Sequence, residues 1–416
     1  MGITDKISHA AERKAFETIP DGKWAHYTQR LIRENDPYIL KAFLTNAAYE
    51  GGFRGYQTAQ ETAKKYDINV PWLILMDPTS ACNMHCTGCW AAEYGHKSNL
   101  TLDEMRRIVR ECKALGTHFF MYTGGEPLIR TDFRYLLTEL KKMGLLVSVN
   151  SNGSLIDRDW LDFFRHEPPF RFNITLYGGS EATYERLCGR PMFGRVTENI
   201  RALRQLGIGV KLNASMTPYN VADMEAIYGM ARELEIPMQL ATYMFPPIRR
   251  DEALVGCNDR FTACQAADYS VQWDRLRLEP EQFQQRAQAM KQGMALPSED
   301  EDCQGTPGEG VMCRAGRSAF WINWQGGMTP CGMMTQPIFS VPEMGFARAW
   351  EETKAATEKI RLPGECAGCR LKEVCHACAA MCVTETGRFD VKPEYVCRMT
   401  HETIRRTIEE AENGNS

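Results

Sequence analysis

The stretch Asp77-Pro-Thr-Ser-Ala-Cys82-Asn-Met-His-Cys86-Thr-Gly-Cys89-Trp90 places three cysteines within eight residues, spaced C-x3-C-x2-C. It follows the apolar run Trp72-Leu-Ile-Leu-Met76, which reads as a buried strand and puts the thiols on the loop leaving its C-terminal end. Three thiolates at this spacing can wrap one face of a cubane [4Fe–4S] cluster. Such a cluster takes four cysteines as a rule, so one iron would be left open to a substrate or cofactor. A structural zinc knuckle is the plainer alternative, since thiolates suit zinc equally well.

The surrounding composition is that of an ordinary globular protein. The 416 residues are 44% hydrophobic and 25% charged, enough for a large core and two or three domains. The net charge of −4 argues against nucleic acid as a bulk electrostatic partner. No apolar run approaches a membrane span, and the polar N-terminus Met1-Gly-Ile-Thr-Asp-Lys6 has no signal-peptide core, so a cytoplasmic location is expected. Sixteen cysteines in that compartment cannot be a disulfide framework; most lie in the first loop or between Cys303 and Cys397, which reads as metal ligation. Cys112 and Cys188 fall inside helical patterns and read as packing residues.

Residues 1–70 read as a helical N-terminal extension, with helix formers in 4–17 and 24–46. From 71 to 245, six strands alternate with helices: strands at 72–78, 118–123, 145–150, 170–177, 209–217 and 237–244. Thr101-Leu-Asp-Glu104 opens the first intervening helix with a capping box. This alternation predicts a parallel α/β sheet with right-handed crossovers. Residues 246–302 read as a helical bridge, and 303–400 as a small cysteine-rich domain with a hairpin at 319–331. A terminal helix and tail fill 401–416.

In a sheet of this kind the reactive groups stand on the loops after the strands. The second such loop is Thr123-Gly124-Gly125-Glu126-Pro127: its glycines let the backbone approach a ligand, proline fixes the turn, and Glu126 can accept from an ammonium. Asn152, Asn173, Thr175 and Asn213 are further polar candidates, each equally readable as a loop cap.

Together, the cysteine loop and Gly-Gly-Glu-Pro resemble the signature of the radical S-adenosylmethionine (radical SAM) enzymes. The resemblance implies a partial (β/α)6 barrel, a [4Fe–4S] cluster on Cys82, Cys86 and Cys89, and S-adenosylmethionine (SAM) on the open iron. Gly124, Gly125, Glu126 and Pro127 would bind the SAM amino group, with Asn152, Asn173 and Asn213 as candidate contacts. Reductive cleavage of SAM to a 5′-deoxyadenosyl radical, fed by a donor such as flavodoxin or ferredoxin, is the implied chemistry. The family often has an aromatic residue where Gly88 stands here; Trp90 can cover the cluster or adenine instead, or belong to the core.

The later cysteines resemble the SPASM domain of such enzymes, which carries two auxiliary [4Fe–4S] clusters. By matching positions, one cluster takes Cys366, Cys369, Cys375 and Cys397. The other takes Cys313, Cys331 and one late cysteine, with Cys303 as a possible fourth ligand. The usual spacing falls between Cys378 and Cys382; the reach supplied by Ala379-Ala-Met381 favours Cys382. Taken alone, Cys366–Cys378 also has zinc-ribbon spacing. The resemblance implies oxidative modification of a peptide or protein, a ribosomally made precursor, by crosslink or thioether formation. A small-molecule dehydrogenase is the alternative, and a non-catalytic electron-transfer or iron-sensing protein the third reading.

Overall fold

The computed structural model describes residues 45, 49–50, 53–66, 70–91, 98–295, 310–311, 313–372, 374–375 and 377–413. The helices expected over 4–17 and 24–46 fall almost wholly outside the described residues, as does Cys303. After helix α1 (Tyr56–Tyr66), strands and helices alternate: β1 (Leu73–Met76), α2 (Leu102–Leu115), β2 (Phe119–Tyr122), α3 (Phe133–Lys142), β3 (Leu146–Ser151) and α4 (Arg158–His166). Then come β4 (Arg171–Thr175), α5 (Glu181–Cys188), α6 (Phe193–Gln205), β5 (Val210–Ser215), α7 (Met224–Glu233) and β6 (Met238–Ala241). Each strand pairs in parallel with the next, giving the expected partial (β/α)6 barrel.

Local chemistry sets these elements. Thr101 Oγ1 accepts from Glu104 N at 3.2 Å while Glu104 Oε2 accepts from Thr101 N at 2.7 Å, so α2 opens on a reciprocal capping box. Along each strand alternate residues face the helices: Ile74, Met76, Phe120, Tyr122, Val149, Phe172, Ile174 and Leu212 are all fully enclosed. They pack with Leu136, Leu140, Phe164, Ile200, Leu203 and Ile227 in one core. Each large side chain so buried stabilises the fold by roughly 1.5–3 kcal/mol. The residues between them, Leu75, Met121, Asn150, Arg171, Thr175, Lys211 and Asn213, lie on the opposite, concave face, where exposure is partial.

The chain then forms α8 (Ala263–Arg277) and α9 (Pro280–Ala295), and both lie against the last long helix. Next come β7 (Ala319–Ile322), β8 (Gly327–Thr329), β9 (Phe339–Ser340), α10 (Val341–Met344), α11 (Phe346–Glu358), α12 (Gly364–Ala367), α13 (Ala379–Thr386) and α14 (Glu394–Asn413). The hairpin expected at 319–331 forms as β7–β8, with Trp321 opposite Thr329. Its placement was not legible beforehand. β7 pairs in parallel with β1, Leu73 to Ala319 through Met76 to Ile322, so the order is β6-β5-β4-β3-β2-β1-β7-β8-β9. Phe320, Ile322 and Trp350 thereby join the barrel's own core.

Candidate functional site

The loops after β1, β2 and β3 are laced together at one end of the sheet. Gly125 N donates to the carbonyl of Thr79 at 2.9 Å and Glu126 N to that of Ala81 at 2.8 Å. This approach requires glycine. A Cβ on Gly125 would lie 2.2 Å from the Ala81 oxygen, and Gly124 adopts φ +108° against the Thr79 oxygen. Arg130 braces the same loop from below, donating to the Pro78 carbonyl at 2.7 Å while paired with Asp132.

Glu126 is completely buried, and its carboxylate is already engaged. Oε1 accepts from Leu128 N at 3.1 Å and Ser151 Oγ at 2.9 Å, and Oε2 accepts from Asn152 N at 2.8 Å. Burial pushes its pKa up to about 7 against these donors. Glu126 is therefore a brace between the second and third loops, with one acceptor position of Oε2 left over. Asn152 likewise turns to the cysteine loop: Nδ2 donates to Asn83 Oδ1 at 2.9 Å and lies 3.9 Å from Cys82 Sγ. Asn173 bonds Asn150 at 2.7 Å on the concave face, which Thr175 and Asn213 share.

Cys82, Cys86 and Cys89 are all half-buried. Burial, the Glu126 charge and the other two thiols push Cys82 up to about 12. Cys86 is raised too, first by a hydrogen bond with Cys188 and then by burial, with the Tyr177 hydroxyl also against it. Cys188, read as a packing residue, is fully buried yet touches this thiol. The helix end bearing it accepts from the loop: His85 N to Cys188 O at 3.0 Å and Thr87 N to Leu187 O at 2.8 Å. Gly88 has φ +72°, and a Cβ there would meet Met244 and Asn258 at 2.8 Å, so the aromatic residue common at this position has no room. Trp90 instead packs edge-on to Trp321 at 5.3 Å, under the guanidinium of Arg249. Asp77, Arg249 and Trp321 are site residues that sequence reasoning missed; the only signal was an acid ending an apolar strand.

The later cysteines fall into two groups. Cys366, Cys369, Cys375 and Cys397 line one cavity of about 100 Å3, into which Thr400 Oγ1 also donates, to Cys375 Sγ at 3.6 Å. Burial and the other three thiols push Cys366 up to about 11. Cys331 is raised to about 11 by burial, with Cys378 and Cys313 as its thiol neighbours. Cys382, buried on α13, faces Cys366, Cys378 and Cys375 and is pushed up to about 12, chiefly by burial. Cys378, the residue capping α13, has Cys313 and Cys331 as thiol neighbours.

These donor sets fit iron–sulfur clusters. Every candidate donor is sulfur, Cys366, Cys369, Cys375 and Cys397 surround a volume, and Asn152 and Thr400 direct donors to sulfur. Raised thiol pKa values mean that binding must displace protons, which couples loading to pH.

The Radical SAM superfamily model matches residues 76–231. The chain is 25% identical over 335 residues to the AdoMet-dependent heme synthase of Methanosarcina barkeri, covering 77% of this chain and 95% of that one. Among solved structures it is similar to Streptococcus suis SuiB bound to precursor peptide SuiA, with TM-score 0.60, 17% identity, and 83% and 80% of the two chains covered. It is also similar to anSMEcpe with bound AdoMet and Cp18Cys peptide, with TM-score 0.59, 17% identity, and 82% and 99% covered. The cysteine loop, the Gly-Gly-Glu-Pro turn and strands β2 to β5 all lie within residues 76–231, which form a radical SAM domain, and the chain is an enzyme.

Proposed function

We propose that the chain is a SPASM-type radical SAM enzyme that oxidatively modifies a peptide or protein substrate, forming a crosslink or thioether in a ribosomally made precursor. The observation that carries this reading is the second set of thiols: four cysteines around one cavity, with Cys313, Cys331 and Cys378 grouped beside them. Cys82, Cys86 and Cys89 would hold the SAM-binding cluster, and the two later groups would hold auxiliary clusters. When bound, the first cluster and SAM supply a radical that removes an unactivated hydrogen from substrate. Removing one hydrogen leaves a substrate radical with one electron still to lose, and auxiliary clusters suit that second oxidation.

The protein's own part is positioning. The Gly124–Pro127 backbone, pressed on the Thr79–Ala81 carbonyls, is a fixed turn that would hold the amino group of SAM. Asn152 and Asn83 hold the Cys82 end of the loop, and the concave face below presents Asn150, Asn173, Thr175 and Asn213 to the substrate side. The peptide class is supported by fold analogy with SuiB and anSMEcpe. Likeness in sequence to a heme synthase across nearly its full length favours a second reading, an oxidation of a small molecule. Anaerobic turnover separates them: 5′-deoxyadenosine release with candidate precursor peptides against iron coproporphyrin, with product mass spectra. A peptide that loses two hydrogen masses supports the first reading; turnover of the porphyrin alone supports the second.

A further inference from the structure

Buried cations in this protein are met by carboxylates. Arg249 pairs with Asp77 at 2.7 Å, Arg260 with Glu385 at 2.5 Å and Arg130 with Asp132 at 2.6 Å. Arg171 and Lys211 are half-buried, have no such partner among the described residues, and stand on the concave face. Their strand neighbours Phe172 and Val210 point the other way, into the core. Asn173 is opposite Lys211 in the β4–β5 register, so Arg171 is one pleat away diagonally. The Arg171 Nε is buried without an acceptor, and two residues along the same face Asn173 Oδ1 is buried without a donor. Lys211 donates to the amide oxygen of Gln239 at 2.6 Å. Among the described residues neither cation has a carboxylate within salt-bridge distance, and the strand residues sharing their face, Ser148, Asn150, Asn173 and Asn213, are neutral. Partial burial, and after it the Arg171 charge, holds the Lys211 ammonium below the usual lysine range.

We infer that Arg171 and Lys211 form an anion subsite on the concave face, taking a carboxylate or phosphate group of the substrate. The inference rests on reading this face as the substrate side. A multi-oxygen anion gives Arg171 Nε an acceptor and screens the two cations from each other; Asn173 Oδ1 beside them is left for a donor of the substrate. It also gives the substrate a fixed end, so that the atom to be oxidised is oriented toward the loops after β1 and β2.

The test uses anaerobically reconstituted full-length enzyme and calorimetric titration with two probes, glutarate for carboxylate and tripolyphosphate for phosphate. Wild type is expected to bind one of them saturably, and the identity of that probe tells which group the subsite takes. Arg171→Met and Lys211→Met are expected to weaken it about ten- to hundredfold, as loss of a charge-assisted hydrogen bond does. Arg171→Lys should restore part of the affinity, and Arg201→Met, at an exposed pair with Glu233, should change nothing. Binding should also weaken as pH rises through the lowered Lys211 range. If Arg171→Met loses its iron or its melting transition, Lys211→Met and Arg171→Lys decide. Failure of both probes, or Met variants that bind like wild type, overturns the inference. SAM affinity and iron content measured on the same wild-type samples report on the proposed function separately: their failure overturns that reading whatever the anions do.

Discussion

The carboxylate of Asp77 holds the guanidinium of Arg249 at 2.7 Å with 0% and 9% of the two side chains exposed, directly behind the cysteine loop. Arg249 also donates to the Gly332 carbonyl, next to Cys331, and lies over Trp90 and Trp324. One ion pair therefore ties the strand that launches the first cysteine loop to the turn that carries a later cysteine. Burial alone pushes Asp77 up, and Arg249 opposes that shift. Arg249→Met should leave an uncompensated buried carboxylate and cost about 3–5 kcal/mol. Asp77→Asn in the same background should recover part of the loss. Urea titration of the two single variants and the double variant checks this; additive losses would show that the pair is not coupled.

Metal content follows from the three thiol groups. Reconstituted enzyme is expected to hold about three [4Fe–4S] clusters. Replacing Cys82, Cys86 and Cys89 together with Ala should remove roughly a third of the iron and all SAM cleavage. Iron analysis and deoxyadenosine release measure both; stoichiometric zinc with little iron would sink the assignment.

Among the later cysteines, the neighbourhood of Cys378, Cys313 and Cys331 makes Cys378 the residue to test first. Cys378→Ala is expected to lose one cluster and stop product formation while uncoupled SAM cleavage persists. Cys382→Ala should keep its iron, its cost being that of a small change in the packing of α13. Electron paramagnetic resonance of the reduced variants distinguishes them, and a Cys382 variant that alone loses a cluster signal would restore the first assignment.

Glu126 gives a pH signature. Its pKa is about 7 in the folded chain against an ordinary 4.5, so its favourable contribution is complete below the usual carboxylate range and lost as pH rises toward 7. Glu126→Gln removes that titration but turns an NH2 toward the N–H of Asn152, leaving a donor without an acceptor at a cost of about 1–3 kcal/mol. Urea midpoints at pH 5 and 7.5 should show the wild-type advantage over the variant growing as pH falls. A constant difference would mean that Glu126 does not titrate in this window.

Much of the barrel was legible because its signals are local. Apolar alternation marks each strand, Thr101 and Glu104 announce the capping box, and the spacing of Cys82, Cys86 and Cys89 names its chemistry. What stayed hidden depends on distance along the chain. Nothing around Arg249 points to Asp77, and Cys188 looks like any helix-end packing residue until the fold sets it against Cys86. The bracing role of Glu126 was hidden for a related reason: the motif shows a carboxylate at a turn, but only the arrival of Ser151 and Asn152 shows what it joins. Arg171 and Lys211 read as ordinary strand charges, and only the register between β4 and β5 shows that they share a face.

The pairing of β1 with β7 has a consequence for synthesis. β1 has β2 on one flank and β7 on the other, and Leu73 must wait for Ala319. Until then the strand that launches the first cysteine loop is a bare edge, inviting another chain to pair with it. A chain cut off after residue 245 would hold six of the nine strands, with its most reactive loop hanging from that edge. The enzyme's cysteine-rich end therefore guards its earliest strand, and nascent chains are most prone to aggregate in the interval before it emerges.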